Sequence, residues 1–404
     1  MGVAHAAEAE ALASLDLDRI IADTCDLIRA GGENPGDTEE RSVAALRGIA
    51  ERTGAAVTLQ EVAPGRQNLR AAMGPEGAPT ILFLGHSDVV PAGEGWSGAP
   101  FEPRVADDRI VGRGSTDMKG GLAAVIAAMA AVSRVVPGIR LELLCTVDEE
   151  DRATGVHAAL PELDMPDAIA CIVAEPTDLD VVVACRGASN LIVDLVGASA
   201  HAGRPEEGAS AISAASRLVQ LVDARHADAR AADPDPLLGS ASWNVGTITG
   251  GSGTSMVPRQ CTVTVDRRTM PGEDPEAILA ELLDDARADL AASGIAGAER
   301  ITLTGRVDMA MPGFRTSPEA AVATSAAAAV QRFGAPGRTT GWTAACEGGF
   351  IAEHLGVPTI ILGPGDVTTQ AHQPDEYVPV AHLDIAAKAY VLTVLRLSEQ
   401  AQVR

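Results

Sequence analysis

Histidine and carboxylate side chains follow an apolar run early in this sequence. Residues 81–84 are continuously apolar and are followed directly by Gly85, His86, Ser87 and Asp88. Residues two apart in an extended chain share a face, so one of His86 and Asp88 could hold a metal ion while the other orients the imidazole ring. A buried strand that merely ends in a histidine is the alternative interpretation.

Three later apolar runs also end in acid or histidine side chains. One leads to Glu149 and Glu150, the next leads to Glu175, and the last passes through a glycine-rich turn to His372. Several buried carboxylates in one place are costly and repel one another unless a cation is present. The recurrence of acids after buried strands therefore predicts a metal site.

The candidate ligands offer only oxygen and imidazole nitrogen. They are His86, Asp117, Glu150, Glu175 and His372. This donor set suits zinc, with cobalt or manganese as alternatives, better than an iron–sulfur cluster or a structural cysteine site. Two divalent ions with a bridging hydroxide would bring three ligand carboxylates close to neutrality, whereas one ion would not. The charge balance therefore favours two metal ions.

The elements that would position these residues are buried strands and helices. Continuous apolar strands are typical of a parallel sheet covered on both faces, and such sheets bind ligands at the carboxyl ends of their strands. Helical spacing recurs in residues 8–30, 39–53 and 122–135.

Three stretches between residues 188 and 312 alternate in polarity, which is typical of strands in an antiparallel sheet: SNLIVDLVGAS, ASWNVGTITGG and RQCTVTVDRRT. We therefore predict an α/β fold with a mostly parallel sheet in a catalytic domain formed by residues 1–187 and 313–404. An inserted α+β domain, serving dimerisation or as a lid, would occupy residues 188–312.

Composition restricts the class of function. The 404 residues exceed one ordinary core, and a net charge of -24 argues against nucleic acid or an anionic membrane as a partner. The sequence contains neither a GxSxG elbow nor a Walker motif, which argues against a serine hydrolase and a phosphate-binding loop. Six scattered cysteines and the lack of a long uncharged apolar segment predict a cytoplasmic protein.

Six short motifs occur in a characteristic order between about residues 80 and 378: GHSDVVP, GRGSTDMKGG, TVDEE, AEPT, GASAH and GPG…AHQPDE. Together they resemble the dinuclear-zinc amidohydrolase family that includes acetylornithine deacetylase, succinyl-diaminopimelate desuccinylase, aminoacylase and glutamate carboxypeptidase. The resemblance implies that Asp117 bridges two metal ions. It also implies that His86 and Glu175 complete one metal site, and that Glu150 and His372 complete the other.

The same resemblance implies roles for three further residues. Glu149 would be the general base and acid, because a carboxylate outside the ligand set can take a proton from metal-bound water, whose pKa is about 7, and return it to the leaving amine. A solvated acidic turn is the alternative for Glu149. Asp88 would hydrogen-bond His86. His201 would reach the site from a partner subunit and bind the oxyanion, which implies a homodimer; a surface histidine capping a local turn is the alternative.

Two charged residues are candidates for substrate recognition. Arg268 matches a D-x-R pattern whose arginine pairs with a substrate carboxylate, although an ion pair with Asp266 is the alternative. Glu347 lies in GWTAACEGGF, which resembles the acetylornithine deacetylase branch. It could recognise a cationic side chain or simply begin a helix.

Loop residues add further candidates. Ser255 stands in SMVP where relatives usually carry asparagine, so the substrate pocket is expected to differ there. Gly363 and Gly365 in GPG could offer backbone N–H groups to the substrate, or could simply form a tight turn.

The sequence therefore predicts a metal-dependent amidohydrolase with two divalent ions as cofactors. Its substrate would be an N-acyl amino acid, as for a deacetylase or a desuccinylase, or a short peptide. A dipeptidase or carboxypeptidase of the same fold is the first alternative. A catalytically silent relative that captures a ligand is the second, and the presence of Glu149 with all five ligands argues against it.

Overall fold

The structure, a computed structural model, describes residues 2–402 and alternates helices with strands. The helices are α1 (Gly2–Ala13), α2 (Leu17–Ala30), α3 (Glu40–Arg52), α4 (Gly120–Ser133), α5 (Thr154–Ala159), α6 (Ala211–Ala231), α7 (Pro275–Ala292), α8 (Ala321–Arg332), α9 (Gly348–Leu355) and α10 (Val380–Gln402). The strands are β1 (Ala56–Ala63), β2 (Arg66–Met73), β3 (Thr80–His86), β4 (Arg104–Ala106), β5 (Arg109–Val111), β6 (Arg140–Thr146), β7 (Ala168–Val173), β8 (Val181–Cys185), β9 (Gly187–Val196), β10 (Ser242–Gly250), β11 (Gln260–Thr269), β12 (Thr302–Met311), β13 (Phe314–Arg315), β14 (Thr339–Trp342), β15 (Thr359–Ile361) and β16 (Tyr377–Pro379).

The chain divides into two compact units. The larger unit comprises Met1–Ala184, Arg315–Gly341 and Glu347–Arg404, and the inserted unit comprises Cys185–Phe314 and Trp342–Cys346. The sequence analysis placed the domain boundaries at residues 188 and 312. The role of the inserted unit in dimerisation or as a lid stays a prediction.

A large mixed sheet forms the centre of the larger unit. Its strand order is β1-β2-β6-β3-β7-β15-β8-β13, with β14 paired to β8. The four central strands β6, β3, β7 and β15 are parallel, whereas the strands that flank them pair antiparallel. These four are the apolar runs from which the metal site was predicted. The predicted α/β fold with a parallel catalytic sheet is therefore confirmed, with antiparallel strands on both sides of the parallel centre.

Helices cover the sheet because its central strands have no polar face. Every residue of β3 is buried, and the Phe83 ring packs edge-on against Tyr390 of α10 at 5.5 Å between centroids. The Tyr390 hydroxyl donates a hydrogen bond of 2.6 Å to the carbonyl of Leu362, just after β15. This contact fixes α10 against the strand whose following loop carries His372.

The inserted unit has an antiparallel sheet in the order β10-β11-β9-β12. Its strands β9 and β11 alternate between buried and partly exposed residues, as their sequences predicted. Helices α6 and α7 pack against this sheet through a shared apolar core, and their first turns are capped by the side chains of Ser210 and Asp274. The sequence analysis had identified three of the four strands and missed β12.

Among residues 2–402, one helical stretch, Ser115–Ser133, is long and apolar enough to cross a membrane by length and composition alone. Within the protein, 94% of its most apolar window is buried. This burial is typical of a core helix, which α4 is.

Two helical glycines provide a matched test of this packing. A methyl group at Gly121 of α4 would overlap with the carbonyl oxygen of Ala174, directly before Glu175, whereas one at Gly48 of α3 would lie 3.9 Å from the Arg52 guanidinium. We expect Gly121→Ala to lower the free energy of unfolding by about 1–3 kcal/mol. Gly48→Ala should raise it by about 0.5–1 kcal/mol. Chemical denaturation measures both, and equal stability of the two variants would contradict this account of the packing.

Candidate active site

The carboxyl ends of adjacent parallel strands bring the predicted ligands together. Strand β3 lies between β6 and β7, with His86 in register with Thr146 and Leu84 with Val173. His86 ends β3, Glu150 follows β6, and Glu175 follows β7. The other two ligands come from loops.

Asp117 and His372 are those loop residues. Asp117 lies in the turn Ser115–Lys119 that leads into α4, and His372 lies between β15 and β16 with a positive φ of 63°. The five predicted ligands therefore come from five separate segments of the larger unit.

Asp117 lies between two groups of donor atoms. On one side, His86 Nε2 is 3.2 Å from Asp117 Oδ1 and 3.3 Å from Glu175 Oε1. On the other side, His372 Nε2 is 3.4 Å from Asp117 Oδ2 and 3.2 Å from Glu150 Oε2. Each oxygen of Asp117 thus belongs to a different trio of two carboxylates and one imidazole.

The spacing within each trio fits a divalent metal ion. Ligands at about 2.0–2.1 Å from a tetrahedral zinc ion are separated by about 3.3–3.4 Å. Each imidazole nitrogen lies 3.2–3.4 Å from both carboxylate oxygens of its trio. Glu150 Oε1 is buried and has no hydrogen-bond partner among the described residues, so a cation would satisfy it. The residues present therefore fit two metal ions that share Asp117.

The carboxylates and imidazoles of the site shift one another's pKa values. Burial, followed by the charge of Asp117, raises the pKa of Glu175 to about 7. Hydrogen bonds to Asp117 and Glu150 raise the pKa of His372 to about 10. Burial alone would lower the pKa of His86, but the charge of Glu175 and the nearby carboxylates raise it well above its usual range. Without metal ions, protons on the imidazoles would balance the carboxylates, and a bound cation would compete with those protons.

Asp88 orients the ring of His86. His86 Nδ1 lies 3.1 Å from the carbonyl oxygen of Asp88 and 3.4 Å from Asp88 Oδ1, so Nε2 faces the ligands. Asp88 also accepts the backbone N–H groups of Glu149 at 3.3 Å and Glu150 at 3.1 Å. A single buried carboxylate therefore links the histidine ligand to the acidic turn.

Glu149 lies beside this centre, and its carboxylate belongs to neither trio. Burial is the main cause that raises the pKa of Glu149 well above its usual range, although the charge of His86 opposes it. A carboxyl group with a raised pKa, next to a metal site but outside its ligand set, can both accept and donate a proton. This placement is compatible with the predicted general base.

Glu376 connects the two loops that carry Asp117 and His372 through hydrogen bonds, a role that the sequence analysis missed. Its carboxylate accepts the backbone N–H groups of Gly114, Thr116 and Asp117 at 2.8–3.1 Å and the Arg113 guanidinium at 2.7 Å. Since Glu376 follows His372 by four residues, it ties the histidine loop to the Asp117 turn. The signal in the sequence was an acid at the end of the AHQPDE motif.

The two glycines of the GPG turn have internal partners. Gly363 N–H donates to Thr177 Oγ1 at 3.2 Å, and Gly365 N–H donates to His382 Nδ1 at 3.4 Å. A side chain on Gly363 would clash with the carbonyl oxygen of Glu175, so this glycine permits a close approach between loops. The geometry gives both glycines a packing role, and substrate binding by Gly365 stays a prediction.

Glu347 is buried beside Thr146, the last residue of β6. Its side chain is 2% exposed, and Oε2 lies 2.5 Å from the hydroxyl of Thr146. Burial raises the pKa of Glu347 to about 8. It precedes the first residue of α9, as the helix-start alternative expected, and recognition of a cationic substrate stays a prediction.

The three remaining candidates lie in the inserted unit. His201 is exposed, and its Nδ1 accepts the N–H of Gly203 at 3.0 Å, which is the local-turn contact considered as an alternative. The segment of His201 pairs with that of the exposed Ser255, since Ala202 N–H donates to the Ser255 carbonyl at 3.0 Å. Arg268 forms an ion pair of 3.1 Å with Asp266, also an expected alternative. Their substrate roles stay predictions.

Metal removal tests the charge argument directly. A chelator should lower the melting temperature, and zinc at 100 times its Kd should restore about 2.7 kcal/mol of stability, because the ions separate like-charged carboxylates. Calorimetry measures this gain, which Asp117→Asn should abolish. Asp180 is the matched control, since it is 8% exposed like Asp117 but pairs with Arg338 away from the ligands. The idea is wrong if Asp117→Asn keeps the gain or Asp180→Asn loses it.

Comparison with known proteins agrees with this geometry. Residues 82–396 match the model of peptidase family M20/M25/M40. The acetylornithine deacetylase of Aliivibrio fischeri is 30% identical over 349 residues, which are 83% of this chain and 85% of that protein.

Two solved structures share the fold. An M20 family metallo-carboxypeptidase of Sulfolobus solfataricus has a TM-score of 0.74 at 18% identity and covers 94% of this chain and 99% of its own. A dinuclear metal-binding peptidase of the M20 family from Bacillus subtilis has a TM-score of 0.69 at 16% identity and covers 95% of this chain and 98% of its own. The chain therefore belongs to peptidase family M20/M25/M40 and is a metal-dependent amide hydrolase.

Proposed function

We propose that this protein removes the acyl group from a small N-acyl amino acid, with acetylornithine-like compounds as the first candidates, using two divalent ions with zinc preferred. The carrying observation is the pair of donor trios on either side of Asp117, with Glu149 next to them. The similarity to acetylornithine deacetylase over most of the chain supports the choice of substrate class.

The metal ions, Glu149 and Asp88 would have separate roles in amide hydrolysis. When bound, the ions would supply Lewis acidity, which would polarise the amide carbonyl and lower the pKa of water so that it could lose a proton near neutral pH. Glu149 takes the proton of the attacking water and passes it to the amine nitrogen as the C–N bond breaks, giving a carboxylate and a free amine. Asp88 holds the His86 ring so that Nε2 stays directed at its site.

The inserted unit would complete the site in a homodimer. His201 of a partner subunit would donate a hydrogen bond to the oxyanion, and Arg268 would pair with the substrate carboxylate. Ser255, an exposed neighbour of the His201 segment, would line the substrate pocket. A cytoplasmic location is part of this proposal.

A second candidate function is exopeptidase activity. A carboxypeptidase is among the structures that share the fold, but at 18% identity this likeness concerns architecture alone. The deacylase is favoured because its relatives match at 30% identity over 83% of the chain.

Substrate profiling tests the proposal. We expect the zinc- or cobalt-loaded protein to hydrolyse N-acetyl amino acids, with N-acetylornithine among the best, faster than N-succinyl amino acids and dipeptides. Amine release measured for each substrate gives the ranking. Faster cleavage of dipeptides would replace the deacylase with the exopeptidase, and tight ligand binding without turnover would indicate a silent relative.

Two substitutions separate the base from the ligands. Glu149→Ala should lower kcat by about 10²–10⁴-fold while two metal ions remain bound, because its carboxylate transfers protons without belonging to a trio. His86→Ala should lower both kcat and metal content, because Nε2 lies among the ligand oxygens. Elemental analysis beside steady-state kinetics measures both effects. Equal metal loss in the two variants would contradict these roles.

A further inference from the structure

A loop far from the ligands in sequence supplies a buried amide next to the active site. The Asn34 side chain is 2% exposed, and its Nδ2 donates to Asp88 Oδ2 at 2.9 Å and to Asp148 Oδ1 at 2.8 Å. Its Oδ1 accepts from Arg66 Nη2 at 3.1 Å. An amide NH₂ group has two hydrogens, so Asn34 gives one to each carboxylate and uses its oxygen on the guanidinium.

The two carboxylates that share Asn34 lead directly to the catalytic groups. Asp88 contacts His86 Nδ1 and accepts the N–H groups of Glu149 and Glu150. Asp148 precedes Glu149 in the chain and has a positive φ of 64°, which turns the acidic segment sharply after β6. Asn34 therefore connects Asp88, which contacts the histidine ligand, with Asp148, which begins the acidic turn.

Charge explains why a donor is needed between these two groups. Asp88 and Asp148 both place an oxygen within 2.9 Å of the same nitrogen, and both are almost fully buried. Like charges so close repel one another unless hydrogen-bond donors or cations lie between them. Arg66 contributes on the outer side, since its guanidinium contacts Asp148 Oδ1 at 3.2 Å and Glu39 Oε1 at 2.8 Å.

Backbone contacts fix the loop that carries Asn34. Asn34 N–H donates to the Val89 carbonyl at 2.8 Å, and Val89 N–H donates to the Gly32 carbonyl at 2.9 Å. Gly32 has a φ of +100°, which favours glycine, and it lies close to the backbone of Ser87. The loop that contains Gly32 and Asn34 therefore packs against residues 87–89, immediately after His86.

We propose that Asn34 is a positioning residue of the metal centre, which holds Asp88 and Asp148 at a fixed separation so that His86 and the Glu149–Glu150 turn face the same pair of ions. The inference rests on the metal centre of the proposed function. It concerns a residue whose side chain hydrogen-bonds to Asp88, Asp148 and Arg66 and not to the ligand atoms of the trios. Aspartate has nearly the same shape as asparagine but cannot supply the two donors, so shape alone does not satisfy this position.

Cobalt binding tests this role without any substrate. Asn34→Asp and Asn34→Ala are stripped of metal and titrated with Co²⁺, with affinity followed by calorimetry and ligand geometry by the visible absorption of the bound ion. We expect affinity for Co²⁺ to fall by about 10–100-fold and the absorption band to change, as when a hydrogen-bond partner of a metal ligand is removed. In the assay for amide hydrolysis, kcat should fall while KM changes little.

Asn68 is the matched control. It is 1% exposed, donates to Gln60 and to the Gly155 carbonyl, and has no hydrogen bond to Asp88 or Asp148. Its Oδ1 accepts the Val147 N–H at 3.1 Å, a contact that an aspartate would keep. Asn68→Asp should bind Co²⁺ with an affinity and a spectrum close to those of the unsubstituted protein, even if its melting temperature falls. If Asn34→Asp does not fold, the uncharged Asn34→Ala variant carries the same comparison.

The outcomes separate the two proposals. Unchanged Co²⁺ affinity and spectrum in the folded Asn34 variants, or an equal loss in Asn68→Asp, would overturn the positioning role. If the unsubstituted protein binds two Co²⁺ ions but hydrolyses no N-acyl amino acid, the proposed substrate class fails. The effect of the Asn34 substitutions on metal binding then still decides the positioning role.

Discussion

Repulsion among buried carboxylates is the constraint on which the active site depends. Asp117, Glu150 and Glu175 place their oxygens within about one ligand spacing of two imidazoles, at 3.2–3.4 Å. Without positive charge this arrangement would be strongly unfavourable. Two divalent ions that shared Asp117 would satisfy the oxygens and both imidazoles, so the site that would bind the metals is also the site that they would stabilise.

The rest of the larger unit holds these acids against their own repulsion. Parallel strands bring three of the ligand segments to one edge of the sheet, and Glu376 ties the two loop ligands together through backbone N–H groups and Arg113. Asn34 similarly connects two acids that are not predicted ligands, because it donates hydrogen bonds to both Asp88 and Asp148. The acids outside the predicted ligand set, Asp88, Asp148 and Glu376, are therefore hydrogen-bonded by amide N–H groups or arginine.

The proposed function assigns chemistry and substrate recognition to different parts of the chain. The predicted ligands and Glu149 all belong to the larger unit, whereas His201, Ser255 and Arg268, which are proposed to contact the substrate, belong to the inserted unit. The antiparallel sheet of the inserted unit leaves its loops and partly exposed strand residues available, which suits residues that contact a substrate. Substitutions in the inserted unit could therefore change the substrate without disturbing the ligands of the metal ions.

The sequence alone determined the four parallel strands, because continuous apolar runs indicate buried strands, and the reaction class, because six ordered motifs resemble a known family. Acid or histidine after each strand predicted a metal site at one sheet edge, and the five ligands stay predictions. The sequence could not determine what surrounds those ligands. Asn34 was not identified as a candidate, and Glu376 was only part of a motif, because hydrogen bonds between residues 54 or 260 positions apart leave no periodic pattern. The tertiary structure alone showed that Glu347 is buried and that the GPG glycines have internal partners, since burial depends on every packed neighbour and local sequence records only a few of them.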